Sequence, residues 1–202
     1  RTFLQAFFLC ALAFPARAQA PVVDFDGGWR RTEEIALPAR PARVPQRPFL
    51  QVLPQRAFSR TDRIPDLLVA AIDATQSKLL LALYELNLPG VADAIVRAKS
   101  RGVDVRLIFD QGHGAPAGAG DAGPSAGPSP EFQRVVAAGV ETRLLKGGGF
   151  FGIMHNKFAV FDGELLETGS FNWTRAADQS NFENVLFRAD ASLVALYSSY
   201  WD

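Results

Sequence analysis

The sequence has few of the residues on which many sites depend: one cysteine, Cys10, and two histidines, His113 and His155. A zinc site built from cysteines is excluded, and two histidines are too few for a histidine-rich one. Basic and acidic residues balance at 21 each, so the chain carries no formal net charge. A dedicated nucleic-acid-binding protein usually shows a basic excess, which is missing here. The 202 residues suffice for one domain with a proper core.

Long apolar runs are also scarce, and the longest lies at the N-terminus. It extends from Phe3 to Phe14 and is followed by Pro15 and a small-x-small site that ends at Ala20. The run is too short for a permanent membrane anchor and predicts a signal peptide over residues 1–20, cut near Ala20. The mature protein is then expected to be secreted or periplasmic. A buried N-terminal helix is the alternative interpretation.

Residues 21–57 form a lead-in rich in arginine and proline. One interpretation is an arm that binds an anionic lipid or nucleic acid surface. The prolines favour the other interpretation, a solvated linker. The folded domain is expected over residues 58–202, with a flexible insert of Gly, Ala, Pro and Ser at residues 111–130. His113 lies in this insert, and its flexible context makes a role in a site the less favoured interpretation.

The domain alternates helical patterns with short apolar runs. Helices are predicted over residues 64–74, 90–101, 131–138 and 192–201, and strands over residues 78–86, 103–110 and 140–145. A strand, a helix and a strand in this order form a βαβ unit. The sequence therefore predicts an α/β fold with a mixed, largely parallel β-sheet sandwiched between helices.

The most informative segment, MHNKFAVFDGELLETGSFNW, occupies residues 154–173. A strand is predicted over residues 153–161, and because side chains alternate along a strand, His155 and Lys157 would project from the same face. An imidazole and an ammonium side by side in an apolar strand break the local pattern, as functional sites do. Taken singly, each residue also has an ordinary structural explanation, such as a turn for Asp162.

Six residues of this segment keep a fixed mutual spacing: His155, Lys157, Asp162, Gly169, Ser170 and Asn172. This pattern resembles the phospholipase D superfamily, whose signature is H-x-K-x4-D-x6-G-S-x-N. The continuation through Trp173 and Asn181-x-Glu183-Asn184 is similar to the small single-motif members, the bacterial endonucleases and mitochondrial cardiolipin hydrolases. The resemblance implies an α/β/α phosphodiester hydrolase that needs no metal or other cofactor.

The resemblance also implies roles for the side chains of the signature. His155 would attack phosphorus and form a phosphohistidine, which divides one displacement into two easier steps. Lys157, Asn172 and Ser170 would bind the phosphate oxygens, and would bind them more tightly as charge builds up in the transition state.

Two further groups are needed around this nucleophile. A carboxylate has to orient the imidazole, as in hydrolase triads, and the resemblance assigns this role to Glu183, with Asp162 as the less certain contributor. A second histidine is the natural general acid for the leaving oxygen. Because the chain has one motif, a homodimer is expected to bring His155 from both subunits to one shared site. In the alternative, the chain is the first half of a longer two-motif enzyme.

Two substrate classes remain open at this stage. The short single-motif form favours a nuclease, whereas the secreted, net-neutral chain with its arginine-rich lead-in favours a phospholipase. A pure binding module fits less well, because binding alone does not need a complete set of His, Lys and Asn.

Overall fold

The computed structural model describes residues 22–23, 29–30, 53–116, 127–149 and 151–202. The chain divides into two compact units, Arg1–Ala36 and Leu37–Asp202. In the first unit, β1 (Val22–Val23) and β2 (Trp29–Arg30) form an antiparallel pair. The signal peptide predicted over residues 1–20 lies outside the described residues. In the part of the chain that is described, no helix combines the length and the apolar character needed to span a membrane.

The second unit is built on one seven-stranded sheet with the strand order β3-β9-β8-β7-β4-β5-β6. Its strands are β3 (Arg56–Phe58), β4 (Lys78–Leu83), β5 (Asp104–Asp110), β6 (Glu141–Leu145), β7 (Lys157–Phe161), β8 (Leu165–Gly169) and β9 (Asn184–Arg188). Its helices are α1 (Ile64–Ala74), α2 (Pro89–Ser100), α3 (Gln111–Gly114), α4 (Pro130–Ala137), α5 (Arg175–Gln179) and α6 (Ala191–Trp201). The predicted α/β class, with a mixed sheet between helices, is confirmed.

The parallel part of this sheet is confined to one side. The pairs β4–β5 and β5–β6 are parallel, whereas the pairs β3–β9, β4–β7, β7–β8 and β8–β9 are antiparallel. "Largely parallel" therefore overstates the parallel share of the sheet. The physical reason is the turn after β7, where Asp162 and Gly163 have φ angles of 54° and 68°. Two residues with positive φ suit a tight hairpin turn, which makes the next strand antiparallel.

Strand β4 shows how the sequence builds the two layers around the sheet. Its residues are an apolar run, KLLLAL, and all but the first are buried. Leu79 and Leu81 belong to the core cluster that contains α1 and α2, whereas Leu80 and Ala82 belong to the cluster that contains α6. Because side chains alternate along a strand, a strand covered on both faces must be apolar throughout. The sheet is thus held between helices on both of its faces.

Several boundaries differ from the sequence predictions. The strand expected over residues 153–161 begins only at Lys157, so His155 lies in the irregular segment before it. The insert expected over residues 111–130 includes a helix, α3, at its start, and residues 117–126 lie outside the described residues. β3 starts at Arg56, within the last part of the lead-in, because it pairs with β9 and forms the outermost strand on that side of the sheet.

The core also holds an ionisable group, Glu167, in the middle of β8. Its side chain is fully buried, and this burial raises its pKa to about 8, while the nearby Trp173 indole acts in the opposite direction. The carboxyl group is therefore protonated at neutral pH and adds no charge to the core.

Candidate active site

One edge of the sheet collects the polar residues of the signature. β4 and β5 are parallel and both end at this edge, close to Tyr84 and Asp110. β7 runs antiparallel to β4 and begins here at Lys157, whereas β8 runs back and ends here before Ser170. β9 begins at the same edge directly after Glu183. Strand direction alone therefore brings distant parts of the chain together.

Tyr84 provides an aromatic surface at this edge. Its ring contacts the imidazole of His155, with the ring centroids 4.6 Å apart and the planes at 70°. The Nζ atom of Lys157 lies 4.9 Å from the same ring centroid, within the range of a cation–π interaction. Burial raises the pKa of Tyr84, and the carboxylates of Asp110 and Glu85 raise it further, so the phenol keeps its proton at neutral pH. Tyr84 thus holds the imidazole and the ammonium together.

His155 has the environment expected of a nitrogen nucleophile. Burial lowers the pKa of its imidazole, and the Lys157 ammonium lowers it further, whereas Asp110 acts in the opposite direction. The pKa therefore lies below its ordinary value of about 6.5, and the ring is mostly neutral at pH 7. A neutral imidazole has the lone pair that attack on phosphorus requires. The side chain is exposed, so a substrate can reach it.

Lys157 is held more tightly than His155. Only 8% of its surface is exposed, and its Nζ donates a hydrogen bond to the backbone oxygen of His155 at 2.8 Å. Burial lowers the pKa of the ammonium, and the carboxylate of Glu183 opposes this effect. The ammonium has further N–H donors beyond this hydrogen bond. These donors suit the oxygens of a phosphate bound beside His155.

Ser170 and Glu183 are joined directly. Ser170 Oγ donates to Glu183 Oε2 at 2.5 Å, and Asn181 Nδ2 donates to Glu183 Oε1 at 3.1 Å. The backbone N–H of Glu183 donates to Ser59 Oγ at 2.8 Å, which fixes the start of β9. Among the described residues, the imidazole of His155 is not a hydrogen-bond partner of this carboxylate. The predicted role of Glu183 in orienting His155 stays a prediction. Within one chain, its carboxylate accepts a hydrogen bond from Ser170 and acts on Lys157 through its charge.

Asn172 lies against the segment that follows β4. Its neighbour Trp173 forms a bridge with Leu86 and accepts a hydrogen bond from the backbone N–H of Asn87 at 3.0 Å. The Oδ1 atom of Asn172 is buried and has no hydrogen-bond partner among the described residues. A flip of the amide would place its N–H donors at this position instead. A buried amide without its full set of partners is typical of a group that a ligand completes.

Asp162 is the one signature residue that the structure does not bring to this edge. It follows β7 at the opposite edge, where its Oδ1 accepts hydrogen bonds from the backbone N–H groups of Ser77 and Lys78 at 2.7 and 3.0 Å. The Ser77 hydroxyl and the backbone N–H of Gln76 donate to it as well. Burial alone would raise the pKa of this carboxyl, but the hydrogen bonds outweigh burial and lower it. A catalytic contribution of Asp162 stays a prediction, and its hydrogen bonds within this chain tie the turn after β7 to the start of β4.

Three residues at the site have no role in the predictions from sequence or only a less favoured one: Tyr84, Asp110 and His113. His113 belongs to α3, and its ring contacts Tyr84 with the centroids 4.4 Å apart. Asp110 ends β5 and is 1% exposed, and its Oδ2 lies 4.0 Å from His113 Nδ1. Tyr84 and Asp110 follow or end neighbouring parallel strands, the edge at which α/β sheets bind ligands. That position is the signal that would have identified Tyr84 and Asp110.

The arrangement offers an exposed neutral imidazole beside an ammonium, which suits an anion that is bound and then attacked. Within the described ranges, no three His, Cys, Asp or Glu side chains are grouped so that they could hold a metal ion. The His-x-Lys pair of the signature, held at this edge of an α/β/α sandwich, is the arrangement expected of the phospholipase D-like class. Residues 68–202 match the family described as "Cardiolipin synthase, PLD-like domain". The chain belongs to this family, and the resemblance inferred from the signature is confirmed.

Individual relatives differ in name. The chain is 34% identical over 146 residues to mitochondrial cardiolipin hydrolase of Xenopus tropicalis, which covers 72% of this chain and 60% of that protein. It is 30% identical over 130 residues to phospholipase D of Rickettsia conorii, which covers 64% of this chain and 58% of that protein. The solved structure of Nuc, a phospholipase D family member from Salmonella typhimurium, superposes with a TM-score of 0.57 at 28% identity, and the match covers 73% of this chain and 90% of Nuc. The chain thus spans between 46% and 60% of the length of the curated relatives named cardiolipin hydrolase or phospholipase D.

Proposed function

We propose that this protein hydrolyses phosphodiesters, with His155 as a covalent nucleophile and without a metal ion. The observation that carries the proposal is the placement of His155 and Lys157 on one aromatic ring, at the edge where Ser170 and Asn172 also lie. Membership of the phospholipase D-like family supports it.

The chemistry follows from the charge of the substrate. A phosphodiester is anionic and repels nucleophiles, so its oxygens must be neutralised before phosphorus can be attacked. Lys157 supplies a positive charge, and Ser170 and Asn172 supply hydrogen bonds that strengthen as charge accumulates. Attack by His155 expels an alcohol and leaves a phosphohistidine, which water then hydrolyses.

A homodimer is the assembly that this mechanism favours. The chain has one signature, and the leaving oxygen needs a proton from a second acidic group. A two-fold axis would place His155 of the partner subunit opposite His155 of the first, as the family resemblance implies. A second phospholipase D half, in a longer chain, would meet the same need.

Nucleic acid is the substrate that we favour. Phe182, next to Glu183, is 89% exposed, and the guanidinium carbon of Arg60 lies 5.3 Å from the centroid of its ring. An exposed aromatic ring stacks on a base, and a nearby arginine attracts the nucleic acid backbone. Phospholipid is the second candidate, since relatives are named cardiolipin hydrolase and phospholipase D. A secreted or periplasmic location, predicted from residues 1–20, remains part of the proposal.

The test is hydrolysis by the purified protein in the presence of EDTA. The substrates are bis(p-nitrophenyl) phosphate, plasmid DNA, RNA and vesicles that contain cardiolipin. We expect turnover that survives chelation, with nucleic acid cleaved faster than lipid, and no turnover by a folded His155→Ala variant. Activity lost to EDTA, or retained by the variant, would contradict the mechanism. Faster cleavage of cardiolipin would reverse the choice of substrate alone.

A further inference from the structure

We propose that Glu167 is a positioning residue of this active site: its carboxyl group pairs with the indole N–H of Trp173 and thereby fixes the backbone that presents Asn172. This inference rests on the proposed function and adds to it a residue outside the signature. It concerns the placement of a phosphate-binding amide and leaves the nucleophile and the source of the proton unchanged.

Glu167 lies in the sheet directly behind the site. It is on β8, opposite Ala159 of β7 and Phe187 of β9. Because paired residues point to the same face and side chains alternate along a strand, Glu167 projects from the face that also carries Lys157. Lys157 begins β7 two residues before Ala159, nearer the edge that holds His155. Glu167 is therefore one step behind the site on the same face, roughly 7 Å along the strand.

The loop that follows β8 is held unevenly. Ser170 is fixed directly, because its backbone N–H donates to the backbone oxygen of Asn184 at 3.0 Å and its Oγ accepts the backbone N–H of Asn184 at 3.1 Å. Asn172 Oδ1 has no hydrogen-bond partner among the described residues. The next residue, Trp173, is fully buried. The position of the Asn172 amide therefore follows from that of Trp173, and a group that orients the indole also orients the amide.

Glu167 and Trp173 hold polar atoms that no other described residue satisfies. Both carboxyl oxygens of Glu167 and the Nε1 atom of Trp173 are buried without a hydrogen bond of full geometry in the described part of the chain. The indole is nevertheless near enough to lower the pKa of the carboxyl group as a hydrogen-bond donor. Buried polar groups cost free energy unless they are paired, and a small rotation joins this donor to this acceptor. An apolar side chain would fill the same place without that cost, so packing alone does not explain a carboxyl group here.

The protonation state of Glu167 suits this role. Burial raises its pKa to about 8, so the group is a neutral carboxylic acid at pH 7. The neutral acid keeps a carbonyl oxygen that accepts the indole N–H. It also leaves the positive charge of Lys157 to the substrate, whereas a carboxylate one step behind the ammonium would attract that charge itself. Glutamine, which is neutral and has nearly the same shape, should therefore replace Glu167 in this role.

The experiment compares two substitutions of Glu167 with a matched control in the same strand. Glu167→Gln keeps an acceptor for the indole, whereas Glu167→Met removes it. Leu166→Met introduces the same side chain at a fully buried position on the other face of β8. For each variant, kcat and KM for bis(p-nitrophenyl) phosphate are measured in EDTA, and the free energy of unfolding is measured by denaturant titration.

We expect Glu167→Met to lower kcat by about 10–10²-fold with a smaller change in KM, because a misplaced donor weakens binding of the transition state most. Glu167→Gln should retain most of the activity, and Leu166→Met should keep kcat close to wild type. Trp173→Phe removes the indole N–H and should reproduce the fall in kcat. Combining Trp173→Phe with Glu167→Met should add little, since both variants remove one shared interaction.

NMR provides a measurement that is independent of turnover. The indole proton of Trp173 is identified by its loss in Trp173→Phe. Its resonance should shift in Glu167→Met and shift far less in Glu167→Gln, because glutamine keeps the acceptor. An unchanged resonance in Glu167→Met would show that the two side chains are not paired and would overturn the inference.

The kinetic results can also overturn it. Equal losses of kcat in Glu167→Met and Leu166→Met would assign Glu167 to packing alone. Equal losses in Glu167→Gln and Glu167→Met would show that the acceptor for the indole is not what the site needs. If Glu167→Met does not fold, Trp173→Phe decides against the same control. Failure of the proposed function is distinct, because His155→Ala would then retain turnover.

Discussion

The two ends of strand β7 both carry charged residues of the signature, but these residues are held in opposite ways. At the first end, the ammonium of Lys157 has one hydrogen bond to a described residue, the backbone oxygen of His155. At the other end, the carboxylate of Asp162 accepts hydrogen bonds from three successive backbone N–H groups and a hydroxyl. The pKa of Lys157 is lowered by burial, whereas hydrogen bonds lower that of Asp162 and so favour its charged form.

The difference shows that one signature combines two physical tasks. Donors left incompletely paired at the His155 edge can bind a ligand, and a charge that is partly desolvated there acts strongly on it. The saturated carboxylate at the Asp162 edge has no such capacity and instead ties the β7–β8 turn to the start of β4. The signature spacing spans the length of β7 because both ends of this strand are constrained.

The strongest test of this comparison is Lys157→Gln. Loss of the ammonium should lower kcat/KM for bis(p-nitrophenyl) phosphate by about 10²–10³-fold, the usual effect of removing one group that stabilises developing charge. The free energy of unfolding should change little, because a partly desolvated charge is removed together with its hydrogen bond. Lys78→Gln, at the opposite edge of the sheet, is the matched control. An activity loss of similar size in both variants would remove the distinction between the two edges.

Asp162→Asn is expected to have a smaller effect, and to lower stability instead of activity. Loss of its charged hydrogen bonds should lower the free energy of unfolding by about 1–3 kcal/mol at neutral pH, while activity per folded molecule stays close to wild type. Because the folded-state pKa lies below 3.8, this stabilisation is present above that pH and disappears as the pH falls through the folded value. Denaturant titrations at neutral and acidic pH measure it.

The matched control for Asp162→Asn is Asp104→Asn. It removes an exposed carboxylate that pairs with Arg106 in the same strand, β5. This substitution should lower the free energy of unfolding by less than about 1 kcal/mol, as is usual for the loss of an exposed ion pair. A catalytic role for Asp162 would instead be revealed by a large fall in activity without a loss of stability.

The smallest expected effect is a change in the pKa of His155, measured from its ring protons by NMR. Replacing Asp110 by Asn removes a charge that raises this pKa, so the pKa should fall further. Lys157→Gln removes a charge that lowers the pKa, so it should rise. The acidic limb of the pH–rate profile of Asp110→Asn should move to lower pH in parallel. Movement in the same direction in both variants would contradict the electrostatic account of this edge.

Much of the fold was predictable because it depends on local patterns. The helices over residues 64–74 and 192–201 follow the spacing of their apolar residues, and the strand within residues 78–86 follows a continuous apolar run. β9 was not foreseen, because its sequence, NVLFR, is short and begins next to residues that had been assigned to the site. The pairing of strands is a long-range property that no local pattern contains.

The site was predictable where chemistry and spacing coincide, and less so elsewhere. His155 and Lys157 lie close together in sequence and form part of a specific signature. Tyr84, Asp110 and His113 have no such signature, and the sheet alone brings them to His155. Asp162 shows what a signature cannot resolve, because a fixed spacing in sequence does not distinguish a catalytic residue from one that fixes a strand.

The most direct test of the central claim is to trap the covalent intermediate. The protein is mixed with a diester labelled at phosphorus, quenched in base within one turnover and digested. We expect an acid-labile, base-stable label on the peptide that contains His155, present in Asp162→Asn and absent in His155→Ala. Product formed without any label on His155, or with the label on another residue, would contradict the account.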